Sequence, residues 1–138
     1  YMANGGRKSI YAAYYLHVEP GGSFLSGGLY MAQPEVMKRV REDMDLYSEE
    51  FLGIISNKKF SDTFSFFVDE KLKRVPTGFD QNSPVSEYLK LKHFTPFRNL
   101  TDKELQQKNI AEFVVLEYVK MKPLLDFLNR SVKGFSER

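Results

Sequence analysis

The sequence contains no cysteine and no tryptophan, and it has only two histidines among its 138 residues. The absence of cysteine excludes disulfide scaffolds, thiolate zinc sites and cysteine nucleophiles. Long apolar runs are also missing, since no stretch approaches the roughly 18 to 20 residues that a membrane-spanning helix needs. We therefore expect no membrane partner, and the lack of cysteine fits a cytoplasmic location.

Blocks of like charge are absent as well. The 20 lysines and arginines and the 18 acidic residues are spread evenly and leave a net charge of +2. Basic arms that bind nucleic acid, and acidic tails, usually appear as blocks of one sign. A hydrophobic fraction of 42% is typical of a globular protein, and a chain of this length can bury one core. We predict a single α+β domain over residues 1–138.

A β-hairpin is predicted near the start of the chain. Residues 10–19 alternate in polarity, a turn-forming Glu-Pro-Gly-Gly-Ser segment follows, and an extended pattern resumes over residues 24–31. Glycines 27 and 28 in the second strand indicate a bulge or a close approach to the backbone. One face of the first strand carries Ala12, Tyr14, Leu16 and Val18, and the other carries Tyr11, Tyr15, His17 and Glu19.

Helices are predicted after the hairpin, where the apolar period changes from two to about 3.6. The main helices cover residues 34–46, 48–57 and 109–132, and Pro123 is expected to kink or break the last one. Residues 60–68 fit a helix better than a strand, residues 84–91 fit a short helix, and Pro96 confines a strand over 92–98 to a sheet edge. We expect the main helices to cover the face of Ala12, Tyr14, Leu16 and Val18.

Several motifs carry a family resemblance. They are the run from Gly5-Gly-Arg-Lys-Ser through His-Val-Glu-Pro-Gly-Gly to Met31, then Gln33-Pro-Glu-Val, Leu72-Lys-Arg, Gly78-Phe-Asp, Leu89-Lys-Leu-Lys and Met121-Lys-Pro-Leu-Leu-Asp-Phe-Leu-Asn. Along nearly its whole length the chain resembles the microbial conserved hypothetical family called domain of unknown function 2461. The resemblance implies no activity. It does imply a largely helical region before Tyr1, so the chain is expected to be the C-terminal part of a longer domain.

The first candidate site is an anion nest formed by Gly6, Arg7, Lys8 and Ser9. Successive glycines can turn backbone N–H groups toward an anion, while the two cations add charge and Ser9 adds a hydroxyl. The segment is not a P-loop, because that motif opens a helix and a strand follows here. The alternative is a loop that leads into the hairpin and carries solvated charges.

The second candidate is the pair His17 and Glu19 on one strand face. His17 can act as a general base that Glu19 orients, with Arg7 as an electrostatic stabiliser. The roots of the two side chains are about 6.6 Å apart, so direct contact needs favourable rotamers. A metal would need further ligands, and nothing places His93 nearby, so we expect neither metal nor cofactor. The alternative is a hydrogen-bonded or exposed strand histidine.

Two further candidates involve aromatic residues. The rings of Tyr11, Tyr15, Phe24 and Tyr30 lie beside the cations of the nest and can stack bases, although a core role explains most rings in a small domain more simply. A long loop over residues 73–80 brings Arg74 close to an aromatic and a carboxylate, as binding loops often do. Its alternative is a surface loop that Phe79 anchors by packing.

These motifs lead to one main functional hypothesis and two alternatives. The main hypothesis is a binding or interaction module for an unidentified small molecule or anion that contacts the nest, Tyr11, Tyr15 and Arg74. The first alternative is a hydrolase that uses His17 and Glu19. The second is a single-stranded nucleic-acid binder, which the even charge disfavours. We also expect self-association through the surface that the missing N-terminal region would cover.

Overall fold

The computed structural model describes residues 2–3, 11–66 and 71–136. Within these residues the chain forms four strands and six helices around one hydrophobic core. The strands are β1 (Met2–Ala3), β2 (Ala13–His17), β3 (Phe24–Gly28) and β4 (Phe97–Asn99). The helices are α1 (Pro34–Leu46), α2 (Ser48–Ser56), α3 (Lys58–Ser61), α4 (Ser86–Leu89), α5 (Asp102–Leu105) and α6 (Ile110–Ser136).

The strands form one antiparallel sheet in the order β1-β2-β3-β4. The predicted α+β class and the central hairpin are therefore confirmed. In the hairpin His17 lies opposite Phe24, and Ala13 lies opposite Gly28. Strand β4 lies at the sheet edge, as predicted, and Ser65 adds a single bridge to Phe97. The predicted bounds of 92–98 are wrong, because the strand begins only after Pro96 and covers Phe97–Asn99.

The hairpin is shorter than the predicted strands over 10–19 and 24–31. Because β2 ends at His17, Val18 enters the turn and is exposed, so its predicted place beneath the helices is wrong. Strand β3 ends at Gly28, whose φ of +103° interrupts the extended backbone. A Cβ atom at that position would overlap the carbonyl oxygen of Phe94, which is the close approach that the glycines predict.

The main helices follow the predicted boundaries closely. Helix α1 begins at a proline, which fits the first helical turn, and it ends at residue 46 as predicted. Helix α6 continues through Pro123 without a break and ends four residues beyond the predicted position 132.

The predicted helix over residues 60–68 is wrong beyond Ser61 in the described part of the chain. Helix α3 ends at Ser61, and the chain then turns toward the sheet. The backbone of Ser65 exchanges hydrogen bonds of 3.0 and 2.8 Å with Phe97, so pairing with β4 replaces helical hydrogen bonds here. Residues 67–70 lie outside the described part of the chain.

The hydrophobic core lies between one face of the sheet and the helices. Helix α6 packs on β3, and α1 and α2 pack on α6. From β2, Tyr14 extends to this side and its ring centroid is 4.7 Å from that of Tyr118. No helix in the described part of the chain is long and apolar enough to cross a membrane. The opposite face of the hairpin carries Tyr15, His17 and Phe24.

Candidate functional site

The turn between β2 and β3 fixes the position of Glu19. The backbone N–H of Glu19 donates to Ser23 Oγ at 2.8 Å, and the Ser23 hydroxyl donates to the carbonyl of Glu19 at 2.8 Å. The N–H of Gly22 donates to the same carbonyl at 2.9 Å. Gly21 adopts a φ of +74°, which suits glycine in a tight turn. These bonds fold the chain back so that the carboxylate of Glu19 can reach β2.

Helix α5 holds the same turn from the outside. The N–H of Gly21 donates to Asp102 Oδ1 at 3.0 Å. Asp102 is the first residue of α5, whose start has a capping box formed by Thr101 and Glu104. Glu104 in turn accepts a 2.7 Å hydrogen bond from Arg98 on β4. The turn that carries Glu19 is thereby connected to the rest of the fold.

His17 and Glu19 contact each other directly. His17 Nε2 lies 3.0 Å from Glu19 Oε2. An ionised carboxylate can only accept a hydrogen bond, so Nε2 carries the proton and donates it. In the neutral imidazole the lone pair then resides on Nδ1, which is the atom that can act as a base or accept a hydrogen bond from a ligand. The carboxylate is exposed and the imidazole is about one-third exposed.

An aromatic surface adjoins this pair, and we call it the ring face, formed by Tyr15, His17 and Phe24. The imidazole of His17 stacks on Phe24 with 5.0 Å between ring centroids and an interplanar angle of 27°. Tyr15 lies two residues before His17 on β2, its ring centroid is 6.0 Å from that of Phe24, and it is 42% exposed. Since alternate strand residues share a face, these rings point away from the helices. The ring face is therefore a partly exposed surface of adjacent rings.

Strand β4 extends the same face of the sheet. Its Asn99 lies opposite Phe24, and Phe97 lies opposite Ser26. The Oγ atom of Ser26 donates to the carbonyl of Pro96 at 2.8 Å, which ties β3 to the start of β4. Phe97 and Asn99 were not predicted as site residues, because only the long-range register of β4 places them here. No local signal in the sequence could have identified them.

Other predicted site residues do not join the ring face. Tyr11 precedes β2 and is half-buried against the core. Tyr30 lies beyond β3, and its ring centroid is 4.7 Å from that of His93. Arg74 is exposed in its loop, and no contact among the described residues joins it to the ring face. Gly6, Arg7, Lys8 and Ser9 lie outside the described residues, so the anion nest stays a prediction.

The chemistry available at the site comes from rings and from one polar pair. Among the described residues no group of three histidine or acidic side chains is placed to hold a metal ion. A shallow depression lies on α5, where Lys103, Glu104, Gln106 and Gln107 line it, and it contains none of the ring-face residues. Phe79 packs against the core, which matches the alternative interpretation of the loop over 73–80. The ring face can thus stack a flat group beside a hydrogen-bonding pair.

Comparison with protein-family models supports the resemblance seen in the sequence. The model of the family described as conserved hypothetical protein (DUF2461) matches residues 1–127. The matched range includes the whole ring face, the turn that carries Glu19 and the first half of α6. No curated protein and no solved structure matches the chain.

Proposed function

The chain belongs to the DUF2461 family, whose description carries no activity, and from the geometry of the ring face we propose that it is a binding module for ligands with a flat ring. One observation carries this proposal. Three neighbouring rings lie on the face of the hairpin opposite α6, and each keeps part of its surface accessible. Rings that serve only the core are normally covered by other side chains.

The polar pair beside the rings gives the surface its orientation. A ligand ring stacked on Tyr15 would lie near the imidazole of His17, which itself stacks on Phe24. The Nδ1 lone pair can accept a hydrogen bond from the ligand, while the exposed carboxylate of Glu19 can accept another. We expect a small molecule with a ring and a hydrogen-bond donor. An anionic group on that ligand stays a prediction that depends on Arg7 and Lys8.

A hydrolase is the second candidate, and the 3.0 Å contact between His17 and Glu19 favours it. In that case Glu19 orients the imidazole and Nδ1 removes a proton from the attacking group. The exposed position of both groups favours binding over catalysis, because catalytic pairs usually act in clefts that exclude water.

The absence of cysteine supports our proposal of a cytoplasmic location.

The proposal is tested with three probes that separate the ring from the phosphate. Adenosine carries a flat base without a phosphate, and ribose 5-phosphate carries a phosphate without a base. Adenosine 5′-monophosphate carries both. We expect both ring-bearing probes to shift the NMR signals of His17 and Phe24. Replacing Tyr15 by alanine should weaken their binding roughly tenfold, since stacking on one aromatic side chain contributes about 1–3 kcal/mol.

The matched control is Tyr30→Ala, which removes an exposed tyrosine outside the ring face. Equal effects of the two substitutions, or no shift with either ring-bearing probe, would overturn the proposal. Binding of ribose 5-phosphate alone would instead support the anion nest. Turnover of p-nitrophenyl acetate that is lost in His17→Gln would favour the hydrolase, and oligonucleotide binding that falls steeply with salt would favour a nucleic-acid partner.

A further inference from the structure

The first half of α6 exposes apolar side chains on the side that faces away from the core. Val115, Leu116 and Val119 are 55%, 57% and 57% exposed. The inward side of the same segment is buried through Tyr118 and Met121. Single exposed apolar residues are ordinary, but three on adjacent turns of one helix form a contiguous surface. We call Glu112, Val115, Leu116, Val119 and Lys122 the α6 stripe.

The α6 stripe lies on one side of the helix. Successive residues advance by about 100°, so positions 112, 115, 119 and 122 fall within about 80° of one another. Leu116 lies at the border of this side of the helix. Pro123 and Asp126 extend the same side toward the C-terminus. At a rise of 1.5 Å per residue, the segment from Glu112 to Asp126 is about 21 Å long. All of these side chains are exposed.

The order of residues along the stripe is self-complementary. Consider two copies of α6 packed antiparallel and related by a two-fold axis that crosses the helix at the level of residue 117. Residues at equal distances before and after that level then meet across the pair. Val115 then meets Val119 of the second copy, and Glu112 meets Lys122 of the second copy. Ala111 and Pro123, which are both exposed, meet in the same way. The valines thus contact valines and each acid meets a base, while Leu116 is level with the buried Tyr118 of the second copy and stays at the border of the contact.

We propose that the α6 stripe binds a second copy of this chain in an antiparallel pair. The charges select this arrangement, because a parallel pair would place Glu112 against Glu112 and Lys122 against Lys122. Within its own helix Lys122 already donates to Asp126 at 2.7 Å. In the dimer its ammonium would lie between that carboxylate and Glu112 of the second copy, at the rim of the apolar contact.

The expected dimer is weak and reversible. A contact made by one helix from each copy over about 21 Å lies at the small end of specific interfaces, below about 1,200 Å² in total. Interfaces of that size commonly belong to transient complexes. We therefore expect sedimentation velocity to show a monomer at low micromolar concentration and a dimer as the concentration approaches millimolar.

A charge exchange tests the arrangement. Glu112→Lys places lysine opposite Lys122 of the second copy, and Lys122→Glu places two acids opposite each other. We expect each single substitution to weaken the dimer roughly tenfold, since it turns both symmetry-related charge pairs of the dimer from attraction to repulsion. The double substitution restores opposite charges at both contacts and should return the dissociation constant to near the wild-type value.

The matched control is Glu42→Lys, which reverses an exposed glutamate on α1. It should leave the dimer unchanged, and circular dichroism checks that every variant is folded. A wild-type chain that stays monomeric at all concentrations would overturn the proposal and leave the stripe to another segment or to a different protein. The proposal would also be overturned if neither single reversal weakened the dimer. The same holds if the double substitution failed to restore the dissociation constant.

Discussion

At the scale of single residues, the glycines of β3 show how closely the packing constrains the sequence. Gly28 has a positive φ, and the carbonyl oxygen of Phe94 occupies the space that a Cβ atom on Gly28 would need. We expect Gly28→Ala to lower the free energy of unfolding by about 3 kcal/mol, because strained backbone and steric overlap both oppose the folded state. Urea denaturation of the purified variant measures this loss.

Gly53 provides the matched control for that substitution. It lies inside α2, and no other group lies within 4 Å of the place that a Cβ atom would take. Gly53→Ala should therefore raise the free energy of unfolding by about 0.5–1 kcal/mol, since alanine has the higher helix propensity. A Gly28→Ala variant as stable as the wild type would show that β3 can move away from Phe94.

The pairing of His17 with Glu19 could be anticipated only in part. Alternation places both residues on one strand face, which is a local property of the sequence. Their contact at 3.0 Å depends on the turn, because Glu19 lies beyond the end of β2 and Ser23 holds its backbone. The interaction of Gly21 with Asp102 joins residues 81 positions apart, so no local pattern reveals it.

At the scale of elements, α5 gives a pH-dependent contribution to stability through Glu104. The hydrogen bond from Arg98 is the main cause that lowers the pKa of Glu104 below its ordinary value of 4.5. A lowered folded-state pKa means that the stabilisation is present above about pH 4.5 and is lost as the pH falls through the folded-state value. We expect Glu104→Gln to reduce the free energy of unfolding by up to about 1 kcal/mol at pH 7.

The difference between wild type and Glu104→Gln should shrink as the pH decreases from 5 to 3, because the wild-type carboxylate then takes up a proton. The amide oxygen of glutamine can keep the capping-box hydrogen bond from Thr101, so this variant removes the charge and the hydrogen bond from Arg98. Urea denaturation at several pH values measures the difference. A constant difference across this range would show that the ion pair with Arg98 does not stabilise the folded state.

Elements with local signals were predicted well, and those that depend on distant partners were not. Helix α1 follows from the proline at its first position and from its apolar spacing. The segment around Ser65 has aromatic residues at helical spacing, yet its backbone pairs with Phe97. Hydrogen bonds to a strand 32 positions away outweigh a helical preference of a few tenths of a kcal/mol per residue.

At the scale of the whole molecule, α6 organises both proposed surfaces. Its inner side covers the sheet through Tyr118 and Met121, which leaves the ring face on the opposite side of the hairpin. Its outer side carries the α6 stripe. The two surfaces therefore lie on different sides of the domain, and a dimer formed through the stripe would leave both ring faces accessible. Ligand binding and self-association can accordingly be measured independently.

Arg98 connects three parts of the molecule, so its removal should destabilise the fold more than the loss of an exposed surface charge. Its Nη2 donates to Glu104 on α5 at 2.7 Å, and its Nε lies 3.3 Å from Glu117 Oε2 on α6. The guanidinium also lies over the ring of Phe113 at 5.3 Å. The side chains of Arg98 and Glu117 are only 24% and 9% exposed, so water screens this pair weakly.

We expect Arg98→Ala to lower the free energy of unfolding by about 2–3 kcal/mol, because Glu117 would stay buried with Lys120 as its remaining partner. Arg98→Lys should recover only part of this loss. Lysine keeps the positive charge, but its ammonium lacks the planar guanidinium that bonds two carboxylates at once. The control is Lys122→Ala, which breaks a pair whose members are both 60% exposed and should cost less than about 1 kcal/mol. Thermal and urea denaturation measure all three variants. Equal losses for Arg98→Ala and the control would mean that apolar packing alone holds the sheet, α5 and α6 together.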